Sequence, residues 1–284
     1  MPVSTWTVTE PRKLAFGSPV TALRVRIVNG SVNVVGAEGP ATRLEVSALD
    51  GPPLVVTLED GVLTVAYQDL PWKNFLQWLD RRSKARSATV TVAVPADASV
   101  EVGVVGAAAF VSGVRGRTEV RGVTGDTALA GLSGTVRGES VSGNLEAQAV
   151  TGDLRFQSVS GDLTVVEGAG PSVRAESVSG DLVLDLDART PADVRLATVS
   201  GEIAVRLPHP ADAVVEANTA SGELSHGFDG LRVSGPWGAK KLTGRLGAGT
   251  GTLRATTVSG SIALLRRPPS EDATHDHEPT GKVL

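Results

Sequence analysis

The sequence predicts an all-β protein: a single β-solenoid (β-helix or β-roll-like) with an N-terminal β-meander cap and one short amphipathic helical insertion. Three observations carry this. A Val-Ser/Thr-Gly-Asp tetrapeptide recurs through the second half of the chain. Between recurrences, apolar and polar residues alternate with period two, as strands require. Glycine returns every nine residues in the tight repeats, which a helix would not tolerate.

From the N-terminus, residues 1–19 read as an arm. Its opening, MPVSTWTVTEPRKLAFG, has no apolar stretch of the kind an export signal needs, so the sequence predicts a cytoplasmic protein, membrane-peripheral at most. Residues 20–105 read as the β cap, with strands in ALRVRIVNGSVNVVG, TRLEVSAL and PLVVTLEDGVLTVAY. Asn29-Gly30 and Asp60-Gly61 are hairpin turn signals. Two more strands flank Pro95. Inside the cap, the spacing of Trp72, Phe75, Leu76 and Leu79 predicts a helix over about 70–87, with Trp78 to the side. Arg81, Arg82 and Lys84 make it basic as well as aromatic. Such a segment either plugs the end of a solenoid or docks on a partner or an anionic membrane surface. Trp72, Phe75, Leu76, Trp78, Arg81, Arg82 and Lys84 are therefore the candidate interaction residues.

Residues 106–265 are the repeat. Its motif glycines are Gly125, Gly134, Gly143, Gly152, Gly161, Gly180, Gly201, Gly222 and Gly260, spaced 9, 9, 9, 9, 19, 21, 21 and 38. The nine-residue unit is one strand plus one corner; the longer units contain a second corner without the motif, and the last spacing reads as two further steps along the stack. The column two after Gly (Leu145, Leu154, Leu163, Leu182) faces inward. Arg137, Glu139, Glu146 and Arg155 lie between, facing out. The sequence reading gives each motif residue a corner role: Gly for positive φ, Asp for bonding nearby backbone N–H, and Ser/Thr for bonding from rung to rung. The nine-residue period is also that of calcium β-rolls, but their glycine-rich half is missing and Thr135, Asn144, Glu202 and Glu223 interrupt the Asp column. At about 20 residues per coil the repeat makes roughly eight coils, a rod near ~40 Å. The tail, 266–284, is polar and aperiodic, and the sequence predicts disorder there.

Composition excludes several functions. There is no Cys, hence no disulfide, thiolate metal site or cysteine nucleophile, and only four His. A net charge of −4 excludes a global electrostatic grip on nucleic acid. No nucleophile elbow occurs, and the Gly-rich Thr243–Thr252 fits no phosphate loop. The expectation is therefore no catalytic residue, cofactor, metal, nucleic acid or small-molecule substrate. The expected partners are a protein, a second copy, or an anionic membrane surface.

The run AVTGDLRFQSVSGDLTVVEG followed by AESVSGDLVLDL resembles the bacterial β-strand-repeat adhesin family, a group of unknown function among the toastrack β-solenoids. The resemblance covers about residues 20–265. It implies a solenoid found with envelope-stress and cell-surface systems, and it supplies no catalytic residues. It suits a non-catalytic scaffold at the cytoplasmic face of the envelope, or alternatively a surface adhesin binding carbohydrate or protein. A carbohydrate-active enzyme or a self-polymerising solenoid ranks below both.

Overall fold

A chain that must turn every nine residues makes strands too short to bury an apolar side alone. It gains a core only by stacking one coil on the next. A computed structural model describes residues 3–67, 86–187, 192–235 and 238–268, and every regular element among them is a strand. In chain order these begin with β1 (Ser4–Val8), β2 (Arg12–Phe16), β3 (Ala22–Ile27), β4 (Asn29–Ala37), β5 (Thr42–Asp50), β6 (Leu54–Glu59), β7 (Val62–Tyr67) and β8 (Ser87–Pro95). The regular coils follow: β9 (Ser99–Val104), β10 (Ala108–Ser112), β11 (Thr118–Arg121), β12 (Thr127–Ala130), β13 (Val136–Ser140), β14 (Leu145–Gln148), β15 (Leu154–Ser158), β16 (Leu163–Gly168), β17 (Ser172–Glu176), β18 (Leu182–Leu186), β19 (Asp193–Ala197) and β20 (Ile203–Leu207). The last are β21 (Ala213–Thr219), β22 (Leu224–His226), β23 (Leu231–Ser234), β24 (Lys240–Leu246), β25 (Gly251–Thr257) and β26 (Ile262–Arg266).

Each regular coil gives one strand to each of two sheets. Odd strands β9 to β19 pair in parallel in the first sheet, even strands β10 to β20 in the second. Val136 aligns with Leu154 and Leu145 with Leu163, so the tight coil is 18 residues. Inward side chains of both sheets, among them Leu145, Leu154, Phe156, Leu163 and Leu182, form one continuous buried core. Each such leucine stabilises the stack by roughly 1.5–3 kcal/mol.

The ends are not stacked in chain order. At the N-terminal end, β3 and β4 lie between β9/β10 and β7/β8, parallel to both. Beyond β7/β8 come β6/β5 and then β1/β2, all antiparallel to their neighbours. At the other end, β25 and β26, last in the chain, lie between β19/β20 and β21/β22. Antiparallel β24 and β23 finish that end of the first sheet. The first sheet has 14 strands. At about 4.8 Å per strand the rod is about 60 Å long.

This corrects several expectations. The final spacing of 38 is not two further steps outward, because Gly260 sits between Gly201 and Gly222. Asn29-Gly30 is no hairpin but opens β4, just past Val28, where the chain crosses from β3 to the other sheet. Asp60-Gly61 is the hairpin, joining β6 to β7 with both residues at positive φ. The arm contains β1 and β2, whose Trp6 and Phe16 close that end edge to face, with ring centroids 5.2 Å apart. Phe228, Leu231, Leu242 and Leu246 are buried apolar residues of the opposite end. The helix expected over 70–87 has no support: residues 68–85 lie outside the described residues, and Ser87 already opens β8. The tail does not begin at Arg266, which ends β26, while Arg267 is still anchored.

That anchor is Asp185. Its buried carboxylate, on β18, binds Arg206 of β20 and accepts from Arg267, whose Nη2 is 2.7 Å away. It ties the inserted last coil to two rungs of the regular stack. The Arg206 hydrogen bond, reinforced by Arg267, holds the Asp185 carboxyl below its ordinary range. A depressed carboxyl stabilises the fold above its unfolded pKa and loses that contribution as pH falls through the folded value. Asp185→Asn is expected to cost about 2 kcal/mol at neutral pH. Its stability difference from the parent should shrink as the pH is lowered below ~4. Urea melts at neutral and acidic pH measure both; a pH-independent difference would contradict the assignment.

Candidate interaction surfaces

The repeat motif builds corners, and the corners fix what the surface shows. At the corners leading from the first sheet to the second, the Ser or Thr before Gly donates to a carbonyl one rung away: Ser142 to Val123, Ser160 to Val141, Ser179 to Val159. The residue after Gly works along the rod too. The Asp126 side chain accepts from Asn144 N–H, Asn144 from Asp162, Asp162 from Asp181, and Asp181 from Glu202. These carboxylates are structural, and among the described residues no group of three or more His, Asp or Glu is placed to hold a metal. A third position had escaped the sequence reading. Ser158, Ser177, Thr198, Thr219 and Thr257, three before Gly, each accept the Gly N–H of their own corner. The signal was present as a Ser/Thr column in SVSG and TVSG.

The motif glycines do not take positive φ; that expectation is overturned. Their requirement is space. A Cβ on Gly161 would lie 2.0 Å from the carbonyl oxygen of Gly143. Positive φ belongs to another column, Gly113, Gly131, Ala149 and Glu167, at the corners leading from the second sheet to the first. There the next residue turns inward, and Val114, Leu132 and Val150 are buried. The opposite corners lack this twist. Their valines point outward: Val141, Val159, Val178, Val199 and Val258 stack in sequence along one edge, mostly about half exposed. Five such rungs form an apolar ridge of about 20 Å.

The first sheet's outer face carries a second column. Arg137, Arg155, Arg174, Arg195 and Arg254 are direct register partners on five successive rungs. Arg137 pairs with Glu139, Arg174 and Arg195 share Asp193, and Arg254 is 3.9 Å from Glu216. No ion pair involves Arg155 among the described residues. Nearer the N-terminal end, Glu101 and Glu119 are adjacent on β9 and β11, bracketed by Arg24, Arg117 and Arg121. Burial raises the Glu101 carboxyl, partly offset by Arg24. Burial likewise lowers neighbouring Arg26 to about 10. Both carboxylates are held by arginines, and Ser99, which lines the same hollow, donates to the Thr21 carbonyl instead. The second sheet is bland by comparison. It carries a concavity of 590 Å³, an open trough beside half-exposed Phe110, floored by Ala109 and Ala128 and edged by Asp126 and Asn144.

This paired-sheet stack with serine-glycine corners is what the family comparison recognises, over residues 24–265. The chain belongs to the Toastrack DUF4097 family. No curated protein matches this Toastrack chain. Two solved structures are similar to it. One, from Clostridium sporogenes ATCC 15579, is named a "putative cell adhesion protein"; it is 10% identical, the match covers 91% of this chain and 100% of that one, and the TM-score is 0.26. The other, from Parabacteroides distasonis ATCC 8503, is named a "putative lipid binding protein"; it is 10% identical, with 90% and 97% covered and a TM-score of 0.43. Neither likeness carries an argument about the Toastrack chain's ligand. No helix among the described residues is long and apolar enough to cross a membrane.

The interaction residues expected from sequence, Trp72, Phe75, Leu76, Trp78, Arg81, Arg82 and Lys84, all lie outside the described residues. The nine motif glycines lie where the repeat puts them, in the corners. Neither the valine ridge nor the arginine column was foreseen. Both were legible as columns once units are aligned at 18 residues rather than nine, which separates the two edges and the two faces.

Proposed function

We propose that this Toastrack chain is a non-catalytic interaction module that binds along its side, at the cytoplasmic face of the envelope. The observation that carries this reading is the valine ridge. A contiguous exposed apolar strip is uncommon on a protein that works alone. Here it repeats one residue per rung, and the open trough by Asp126 and Asn144 adjoins only its first corner. A straight ridge is complementary to another straight ridge, so a second copy is its simplest occupant. Fractionation of the native cell tests the location; a secreted protein would rule out the cytoplasmic face.

The test combines sedimentation velocity over a wide concentration range with flotation on neutral and anionic vesicles. Val159→Lys/Val178→Lys/Val199→Lys is compared with the parent. These side chains are exposed, so each change should alter stability by no more than about 0.5 kcal/mol. Self-association that the triple variant loses supports the reading. A parent that stays monomeric throughout removes self-association from it. Vesicle binding lost in the variant would instead make the ridge a membrane contact.

A further inference from the structure

From the first sheet's outer face we infer that the arginine column is a binding track for an extended, linear acidic polysaccharide running along the rod. Like charges directly opposite in neighbouring strands are destabilising. Yet five arginines stand on successive rungs, Arg137 to Arg254, at about 4.8 Å spacing. The column reaches its fifth member only because the inserted β25 brings Arg254 beside Arg195. Acidic residues such as Glu139 and Asp193 occupy the columns to either side, and Glu119 and Glu216 close the column at its two ends. They leave the side chains of Arg174 47%, Arg195 51% and Arg254 63% exposed. Arg155, at the second rung, is exposed and has no ion pair among the described residues. Over its strands the first sheet carries more Arg and Lys than Asp and Glu, whereas the second is balanced, in a chain whose net charge is −4. The positive charge is thus collected on one face.

The geometry selects among anions. Guanidinium groups bind carboxylates and sulfates through paired N–H donors. A straight row of them matches a ligand that is itself straight and carries an anionic group at each short repeat. Duplex DNA steps its phosphates by about 3.4 Å per strand along a curved path, so only one or two would meet the column. Single-stranded nucleic acid needs aromatic platforms, and the aromatic on the column's five strands, Phe156, is buried in the core. An anionic membrane would need apolar side chains to enter beside the arginines. The exposed valines of the ridge line the corner, two columns away; Val183 faces out from the second sheet, and Val214 lies beyond the column's fifth rung.

The test uses polygalacturonate and dextran sulfate as probes, with phosphatidylglycerol vesicles and a single-stranded oligonucleotide as rivals. Arg155→Ser/Arg174→Ser is compared with Arg12→Ser/Arg43→Ser, which removes the same charge from the second sheet. The inference expects salt-sensitive binding to at least one polysaccharide, weakened about tenfold in the first variant and less than about twofold in the second. The first variant should melt no lower than the parent, since like-charge contacts are removed. No polysaccharide binding overturns the inference. Equal weakening in both variants reduces the effect to net charge and overturns it too. Tighter binding to vesicles or to the oligonucleotide reassigns the column to that ligand. The valine ridge plays no part in these readouts, so either surface can fail alone.

Discussion

Ended at Leu246, ahead of β25, the chain is expected not to reach a folded monomer. In an ordinary solenoid the last coil is an end coil, and removing it trims the rod. Here the last coil is internal. Its loss opens β19 and β21 in one sheet and β20 and β22 in the other, each of which pairs with it in the intact chain. The core loses Leu253, Ala255, Ile262 and Leu264, all buried. The three large side chains alone contribute roughly 6 kcal/mol. That is comparable to the whole stability of a typical domain, about 5–15 kcal/mol. Closing the gap would require β21/β22 to slide onto β19/β20 with the end hairpin attached. Size-exclusion chromatography and thermal melts of the shortened chain check this. A monomer with a cooperative transition near that of the parent would contradict the inserted topology. The same arrangement makes the intact chain finish late, since β25 and β26 pair with partners up to about 60 residues back, and non-local pairing slows folding.

The second large effect is expected at a motif glycine. Gly201→Ala should destabilise by about 3 kcal/mol or more, because the new Cβ would sit 2.0 Å from the carbonyl oxygen of Gly180. The obstacle is backbone, itself held by the neighbouring corner. A Cβ on Gly260, on the rung above, would lie equally close to the Gly201 carbonyl, so the backbone of Gly201 is packed on both sides and has little room to shift. Gly131→Ala is the contrast. Its φ is +61°, but a Cβ there meets nothing within 4 Å, and Ala149 already adopts the same conformation one coil on. The cost there should be about 1 kcal/mol. Denaturant melts of the two variants give the comparison. If Gly131→Ala proved the worse, conformation rather than space would govern the corners.

That contrast also marks how far the amino-acid pattern could be read. Period two and the Ser/Thr-Gly-Asp corners sufficed for the solenoid and its strand-plus-corner unit, because both depend on residues close in sequence; the rung-to-rung serine bonds, about 20 residues apart, follow once like corners are stacked. The role of Gly201 depends on a carbonyl 21 residues away, so φ was the wrong reason for the right residue. The inserted coils were illegible for the same cause. Nothing local distinguishes Gly260 stacked beyond Gly222 from Gly260 stacked between Gly201 and Gly222. The surfaces were half legible. Arg155, Arg174 and Arg195 are visible in the sequence as outward residues, but that they stand in one line follows only from the register.

Coils threaded out of chain order at both ends also bear on how such a protein can change length. Residues at either end cannot be duplicated without breaking a threaded arrangement, so growth by adding terminal units is closed off. The middle is different. Between β11 and β18 coils follow one another in order, joined by corners whose bonds reach no further than the adjacent rung. An extra 18-residue unit inherited there would slip in like a bead on a string, leaving both finished ends intact. It would extend the valine edge and the arginine face together, one residue each, and so set the reach of the rod by copy number alone.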